Sequence, residues 1–328
     1  MSDLNVQDSG VQLRVRMDSQ AAIALASALV SHVAQIADTR ILLLKGPASA
    51  SHGLRRPRIS SDVDALVAPE GFSSVARILK KSSWIERFHS GAPEVVAPHS
   101  VALFHAEWPI DIDLHRVFPG FFASASVTFE ALWARREKYV IANQEVFVLD
   151  KVADALVLAL HSLRKPNDPR SVIEYPDLVR RVKDTFSHSD LLELGELAQV
   201  TSSSEAALPF LRDVGVDVDA PQSASQQFIA WQINAQDHAS HATRTTGWLI
   251  ALLDAPLGER VYVLRRALWP SAESMLGEDP SIDSTPSGIR RARIARLGRG
   301  IRALPVSLSR LLRSRHSLRA ARRKNVRR

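Results

Sequence analysis

The chain of 328 residues contains no cysteine. This absence excludes disulfide bonds and metal sites built from thiolates, and it fits a reducing compartment. Long apolar runs are also missing, since runs such as Ile41–Leu44 are far shorter than a membrane span. The first residues lack a basic stretch followed by an apolar one, so no signal peptide is predicted. We therefore expect a cytoplasmic protein.

Acidic residues are absent from one long stretch near the end of the sequence. Residues 290–328 contain 15 lysines and arginines and neither Asp nor Glu. The rest of the chain keeps 27 of the 42 basic residues against all 35 acidic ones, which gives a net charge of −8. The body therefore lacks the general basic patch of a nucleic-acid-binding protein, and the tail is strongly cationic.

The pattern of apolar residues changes near the middle of the chain. In the first half it predicts helices alternating with strands, the helices at 21–37 and 69–81 and the strands at 41–44, 62–67, 101–105, 110–115 and 147–149. From Asp150 onward helical spacing dominates, with further helices predicted at 188–199, 203–214, 223–238, 244–254 and 257–268. We predict an α+β fold, with a mixed sheet and flanking helices in 1–148, a helical domain in 149–278, and a linker with a basic tail in 279–328.

The basic tail has the pattern of an amphipathic helix. Arginines recur at every third position from Arg293 to Arg302, and apolar residues recur beside them at Ile294, Leu297, Ile301 and Leu304. The helix is predicted to end at Pro305. Aromatic residues for base stacking are absent from residue 290 onward, so an anionic membrane surface or an acidic partner is favoured over sequence-specific nucleic acid. The protein would then be peripheral to the membrane; a solvated tail without a partner is the alternative.

Two acidic segments carry the predicted chemistry. Asp62 and Asp64 lie two positions apart on a predicted strand and therefore share one face. The same period places Asp111, Asp113 and His115 on one face of a later strand. Close carboxylates repel each other unless a cation lies between them, and oxygen ligands suit Mg²⁺ or Mn²⁺.

If the two strands are neighbours, Asp113 joins Asp62 and Asp64, and three such carboxylates suit phosphoryl or nucleotidyl transfer. Asp111 is expected to be more peripheral and to serve as a salt-bridge partner. His115 is alternatively a core histidine. Because repulsion would be relieved, Asp62→Asn or Asp64→Asn is expected to leave thermal stability equal or higher.

A phosphate-binding turn is predicted after the first strand. Gly46 would let the backbone approach a phosphate, a following helix N-terminus would offer free N–H groups, and Lys45 would add a positive charge. Arg55, Arg56 and Arg58 precede the aspartates and could reach phosphate oxygens, with Arg58 favoured by its position. An ordinary strand-to-helix turn, with Lys45 in solvent, is the alternative.

These segments resemble the uncharacterised bacterial nucleotidyltransferase family of the polymerase-β-type superfamily. The resemblance is carried by Leu44-Lys-Gly46, by Arg58-Ile-Ser-Ser-Asp-Val-Asp64 and by Asp113-Leu-His115, and it extends over roughly residues 20–275. Leu160-His161 and Tyr175-Pro-Asp177 resemble its helical segments more loosely. The resemblance implies a small nucleotidyltransferase-type fold, with Asp62, Asp64 and Asp113 as catalytic metal ligands.

The resemblance also implies a nucleoside triphosphate substrate bound by Lys45 and Gly46, to which we add Arg58, His115 and His161. We expect His161 and Asp177 to wall the cleft opposite the aspartates, although His161 is equally well read as a structural histidine. The expected activity is transfer of a nucleotidyl group to a hydroxyl of a small-molecule, sugar or peptide acceptor. A kinase-like phosphotransferase and a non-catalytic nucleotide-binding scaffold are the alternatives.

Overall fold

The computed structural model describes residues 17–87, 100–218 and 282–325, with shorter pieces between 219 and 281, of which 260–272 is the longest. The helices predicted at 223–238 and 244–254 lie almost entirely outside the described residues. Elsewhere the predicted alternation of helices and strands, followed by helices alone, is confirmed.

The first half is built on a mixed sheet. Within the described residues it has seven strands, β1 Ile41–Leu44, β2 Asp62–Val67, β3 Ile85–Glu86, β4 Ser100–Phe104, β5 Asp111–His115, β6 Arg136–Ile141 and β7 Gln144–Leu149. Their spatial order is β3-β4-β5-β2-β1-β7-β6. The pairs β2–β5 and β1–β7 are parallel, and the other neighbours are antiparallel. The predicted mixed sheet is therefore confirmed.

Helices flank the sheet and then follow it. They are α1 Ser19–Ile36, α2 Gly46–Ser51, α3 Phe72–Lys81, α4 Ala125–Ala134, α5 Lys151–Arg164, α6 Pro169–Thr185, α7 His188–Val200, α8 Ser204–Val214, α9 Arg260–Leu268 and α10 Pro286–Asn325. Local sequence fixes several starts, because the Asp18 carboxylate accepts from the first amides of α1 and the Asp150 carboxylate from an amide of α5. Ser187 and Asp190 form a reciprocal capping box at the start of α7.

The two faces of the sheet have separate cores. On one face α1 and α3 contribute Val30 and Val75 to a cluster with strand residues such as Val63. On the other face, strand residues such as Leu66 belong to one cluster with the helices α5 to α8. The helical half thus packs directly on the sheet, while the predicted domain limits at 148 and 278 stay a prediction.

Strand pairing brings the two acidic segments together. Because β2 and β5 are parallel neighbours, Asp62 lies opposite Asp111 and Asp64 opposite Asp113. Side chains opposite each other on paired strands point to the same face, and Leu66, two residues beyond Asp64, belongs to the core under the helical half. The acidic residues therefore face the helices.

Two terminal helices correct expectations from the sequence. Among the described residues, α1 is the one helix long and apolar enough to cross a membrane by length and composition, although its inner side belongs to the core against the sheet. The prediction that α10 ends at Pro305 is wrong, since the helix continues to Asn325. Proline removes one helical hydrogen bond and favours a kink, and the exposed position of Pro305 leaves that turn open to solvent.

Candidate active site

A cluster of three side chains lies at the paired ends of β2 and β5. Asp64, Asp113 and His115 each offer one possible metal-ligand atom, and these atoms lie within 4.8 Å of one another. Asp64 and His115 are buried, whereas Asp113 is half-buried. Two carboxylates and an imidazole are a donor set that divalent cations accept.

Asp64 is the centre of the cluster. Its Oδ2 lies 2.5 Å from the Lys45 Nζ, and its Oδ1 lies 2.9 Å from the His115 Nε2. Burial alone would raise the pKa of Asp64, but the Lys45 ammonium and the His115 ring hold it well below its ordinary value. The other ring nitrogen of His115, Nδ1, is buried without a hydrogen-bond partner among the described residues.

Asp113 is the carboxylate without a neutralising contact. It makes no hydrogen bond or ion pair within the part of the chain that the structure describes. Burial raises its pKa to about 6, and the nearby Asp64 and Asp62 carboxylates add to the rise while His115 opposes it. A half-buried carboxylate that lies beside other carboxylates and has no cation of its own would be stabilised by a metal ion.

The remaining two acidic residues differ in their surroundings. Asp62 lines the same cleft as Asp64 but lies outside the three-residue cluster, and burial and Asp64 raise its pKa. Asp111 pairs with Arg87 through two hydrogen bonds of 2.6 and 2.9 Å. The expected peripheral position of Asp111 and its role as a salt-bridge partner are therefore confirmed.

The turn between β1 and α2 is strained at Lys45. This residue has φ +60° and ψ −131°, a conformation that costs a non-glycine residue about 1–3 kcal/mol. Gly46 follows with φ +67°, and a Cβ placed there would meet nothing within 4 Å. The Arg55 Nη2 donates to the Gly46 carbonyl over 2.7 Å and holds the turn in place. Lys45 is buried and its ammonium contacts Asp64, so the alternative of a solvent-exposed lysine is wrong.

A second cleft, on the helical side of Lys45, is rich in positive charge. It is lined by Lys45, Arg55, Arg58 and His161, with Glu174 as the acidic member. The Lys45 Nζ lies 3.2 Å from the His161 Nδ1, so Nδ1 accepts the hydrogen bond and carries no proton. Burial and the nearby Lys45 charge both disfavour the protonated ring and lower the pKa of His161, so this side chain is neutral. Arg58 is paired with Glu174 at 3.3 Å.

A buried ion pair ties the turn to the rest of the fold. His52, at the end of α2, lies 3.2 Å through Nδ1 from Asp154 on α5 and 3.3 Å through Nε2 from Glu137 on β6. The hydrogen bond that His52 donates to Asp154 raises the pKa of His52, against the effect of burial. Asp154 is almost completely buried, and its second oxygen has no partner among the described groups.

The acidic cluster and the strained turn coincide with a family match. The model of a family described as uncharacterised nucleotidyltransferase matches residues 12–213. The chain belongs to this nucleotidyltransferase family. The match covers well over half of the chain, including the whole sheet and the helices α5 to α8, so the resemblance seen in the motifs is confirmed.

The chain is similar to the crystal structure of an antigenic nucleotidyltransferase-like protein from Paracoccidioides brasiliensis, with 12% identity over 57% of this chain and 92% of the other. The TM-score is 0.35. No curated protein matches the chain.

The structure places the predicted site residues in two groups around Lys45. Asp62, Asp64, Asp113 and His115 lie on its strand side, and Arg58 and His161 lie on its helical side. Their roles in metal and nucleotide binding stay predictions. The expectation for Asp177 is wrong, because it pairs with Arg180 and Arg181 on its own helix instead of lining the cleft.

Sequence reasoning missed two contacts at the candidate site. Arg55, rather than Arg58, touches the turn at Gly46. The pair formed by His52 and Asp154 carried no motif that would single it out. An acidic residue such as Asp154 in an otherwise apolar helix was the available signal, because a buried carboxylate needs a partner.

Proposed function

We propose that this protein transfers a nucleotidyl group from a nucleoside triphosphate to a hydroxyl of an acceptor molecule, with the help of a divalent metal ion. The observation that carries the proposal is the juxtaposition of the Asp64–Asp113–His115 cluster with Lys45 and Gly46. Membership in the nucleotidyltransferase family supports the general reaction. The acceptor is proposed only as a class, a small molecule, sugar or peptide that bears a hydroxyl.

The residues present fit a divalent cation. Asp113 is a half-buried carboxylate without a neutralising contact among the described residues, and Asp62 and Asp64 lie on the adjacent strand. These three would hold Mg²⁺ or Mn²⁺, which prefer oxygen ligands. When bound, such an ion neutralises charge on the phosphates and lowers the pKa of an attacking hydroxyl. His115 orients the Asp64 carboxylate through its 2.9 Å hydrogen bond.

The basic cleft fits the phosphate chain of the nucleotide. Lys45 lines both this cleft and the acidic one, so an anion lying beside it would reach from the arginines to the carboxylates. The open space above Gly46 lets phosphate oxygens approach its backbone. Arg55 and Arg58 supply positive charge, and neutral His161 supplies its Nε2–H as a donor.

The transfer itself exchanges two bonds to the α-phosphorus. The acceptor oxygen forms a bond to this phosphorus, and the bond from phosphorus to the bridging oxygen of the β-phosphate breaks. Pyrophosphate leaves with that oxygen, stabilised by Lys45 and the arginines of the basic cleft. The proton of the acceptor hydroxyl passes to a carboxylate of the cluster; Asp113 is the one that no described residue engages.

Labelled nucleotides test the proposal and separate it from a kinase. Purified protein is incubated with Mg²⁺ or Mn²⁺, an extract of its source cells and each nucleoside triphosphate, labelled at either the α- or the γ-phosphate. We expect acceptor labelling from the α-position with release of pyrophosphate. Labelling from the γ-position alone would show phosphotransfer instead, and nucleotide binding without either product would favour a non-catalytic scaffold.

Matched variants assign the activity to this site. Asp64→Asn and Asp113→Asn are expected to lower transfer by at least about a hundredfold, because each removes a carboxylate from the cluster. Asp111→Asn lies on the same strand but loses only a pair with Arg87, so its activity should stay near that of the unmodified protein. Equal activity in all three variants would place the reaction elsewhere.

A further inference from the structure

The helix α10 turns its apolar side away from the protein. Its small residues Ala303 and Ser307 are 9% and 0% exposed, so this side packs inward. Ile294 and Ile301 are both 57% exposed and Leu308 is 48% exposed. These three residues lie seven positions apart, which aligns them along one stripe of a helix. We call Ile294, Ile301 and Leu308 the outer stripe.

The charged residues of α10 itself all have one sign, although Asp283, just before the helix, lies 3.6 Å from Arg291. The side chains of Arg290, Arg291 and Arg302 are exposed and flank the stripe on the helix, and no acidic residue occurs between residues 290 and 328. The helix spans 40 residues, about 60 Å at 1.5 Å per residue. Apolar residues on one face and cations beside them are typical of helices that lie in the headgroup region of anionic membranes.

A neighbouring helix extends this surface with aromatic side chains. On α9, Val263 is buried, while Tyr262 and the Trp269 that follows the helix are 50% and 52% exposed. Further exposed apolar residues of this helix are Val261, Leu264 and Leu268. The Arg293 guanidinium lies 5.0 Å from the centre of the Trp269 ring and joins the two helices. Exposed Trp and Tyr beside cations are characteristic of membrane interfaces.

We propose that α10, together with α9, is a docking surface for an anionic lipid bilayer. The outer stripe enters the boundary between headgroups and acyl chains, and the arginines beside it bind lipid phosphates and carboxylates. The rest of the protein has a net negative charge and is repelled by an anionic bilayer. The bilayer is therefore contacted through α9 and α10. Duplex nucleic acid fits less well, because it offers charge but nothing apolar for the outer stripe.

Vesicle flotation tests the proposal. Full-length protein is mixed with vesicles of phosphatidylcholine alone, or with vesicles in which part of it is replaced by phosphatidylserine. We expect binding only to the second kind, weaker at higher salt. The triple variant Ile294→Ser, Ile301→Ser, Leu308→Ser should bind at least about tenfold more weakly. Arg290→Gln with Arg302→Gln should weaken binding by about fivefold for each arginine.

Controls keep the result specific. Val140→Ser, Val172→Ser and Ile173→Ser remove three exposed apolar residues outside α9 and α10 and should leave vesicle binding unchanged. Brominated acyl chains should quench tryptophan fluorescence in the otherwise intact protein, and Trp269→Phe should lose part of that quenching. If the triple variant fails to fold, the quenching measurement still tests the proposal, because it uses the otherwise intact protein.

Three results would overturn the proposal. One is equal flotation of the triple variant and the unmodified protein in a folded state. Another is equal binding to both kinds of vesicle. The third is binding to duplex DNA or RNA without binding to vesicles, which would make the helix a nucleic-acid contact.

Discussion

Asp64 and Asp113 are paired residues with opposite electrostatic surroundings. Lys45 and His115 stabilise the charge on Asp64, whereas Asp113 faces other carboxylates. We therefore expect that, in the absence of metal, replacing Asp64 by Asn lowers the stability of the fold and replacing Asp113 by Asn raises it. Asp64→Asn breaks a buried ion pair and should lower the free energy of unfolding by about 3 kcal/mol. This reverses the expectation from sequence that its removal relieves repulsion.

Asp113→Asn should instead raise the free energy of unfolding by up to about 3 kcal/mol at neutral pH, because the pKa rises from 3.8 to about 6 on folding. Because the pKa of Asp113 is higher in the folded state, its ionisation lowers the free energy of unfolding progressively as the pH rises from 3.8 to about 6. Above that range the loss stays constant. The gain in the variant should follow the same course and vanish below pH 3.8. Urea unfolding at several pH values, with chelator present, measures this; a gain independent of pH would contradict it.

The Lys45 ammonium lies beside one of the carboxylates that we propose as metal ligands. It contacts Asp64 directly, so a metal ion arriving without nucleotide competes with it. Lys45→Gln should therefore bind Mn²⁺ severalfold more tightly in the absence of nucleotide, yet bind nucleotide more weakly. Calorimetric titration of the folded variant with each ligand measures both changes.

The exposed Lys138 on β6 offers the matched control for this prediction, because it has the same charge at a solvated position. Lys138→Gln should change neither affinity. A Lys45→Gln variant with weaker Mn²⁺ binding would show that the lysine supports the metal site instead of competing for it.

At the scale of elements, α2 is positioned by the His52–Asp154 pair. The raised pKa of His52 means that this contact stabilises the fold fully below pH 6.5 and loses its contribution as the pH rises through the pKa of the folded state. The stability difference between the unmodified protein and His52→Gln should therefore shrink as the pH increases. Unfolding midpoints across this range measure the difference.

His188 provides the control for that pH dependence, because it is an exposed histidine at the start of α7. His188→Gln should parallel the unmodified protein at every pH. A difference for His52→Gln that is constant with pH would remove the charged pair as the link between α2 and α5.

The elements that sequence predicted are those with a strong apolar signal. Strands β1 and β2 are buried along almost their whole length, so their apolar residues mark them clearly. Strand β6 was missed because it lies at the sheet edge with mostly exposed, charged residues, and β3 has only two residues. Short or solvated strands are defined by their neighbours in the sheet, which the local sequence does not contain.

The candidate site was predictable in its residue types but not in its contacts. The spacing of Asp62 and Asp64 placed both on one strand face, and the structure agrees. Nothing in the spacing could show that Lys45 pairs with Asp64, because that contact depends on the unusual backbone conformation of Lys45. Contacts between segments far apart in the chain, such as that of Lys45 with Asp64, are set by how the segments pack in the folded protein.

At the scale of the whole molecule, sheet and helices share one core. Leu66 of the sheet and Phe210 of α8 belong to the same buried cluster, so we expect both halves to unfold in one transition. Gly120 lies at their contact with φ +102°, and a Cβ there would approach the Leu160 side chain to 2.8 Å. Gly120→Ala should lower the free energy of unfolding by about 3 kcal/mol in both halves together.

Circular dichroism and tryptophan fluorescence followed during thermal unfolding measure this prediction. Gly215→Ala is the matched control, since Gly215 has φ +86° but open space around its Cβ position, and should cost only about 1 kcal/mol. Two separate transitions, of which Gly120→Ala shifts one alone, would show that the halves fold independently.

The uneven distribution of charge has a consequence for how the molecule moves in an electric field. A body with a net charge of −8 and a terminal segment with 15 positive charges together form a large electric dipole. Near an anionic surface such a dipole experiences a torque before any contact is made, and the positive end turns toward the surface. Encounters are then oriented over distances of about 10 Å, the screening length at moderate salt. Rotation in solution would thus precede docking.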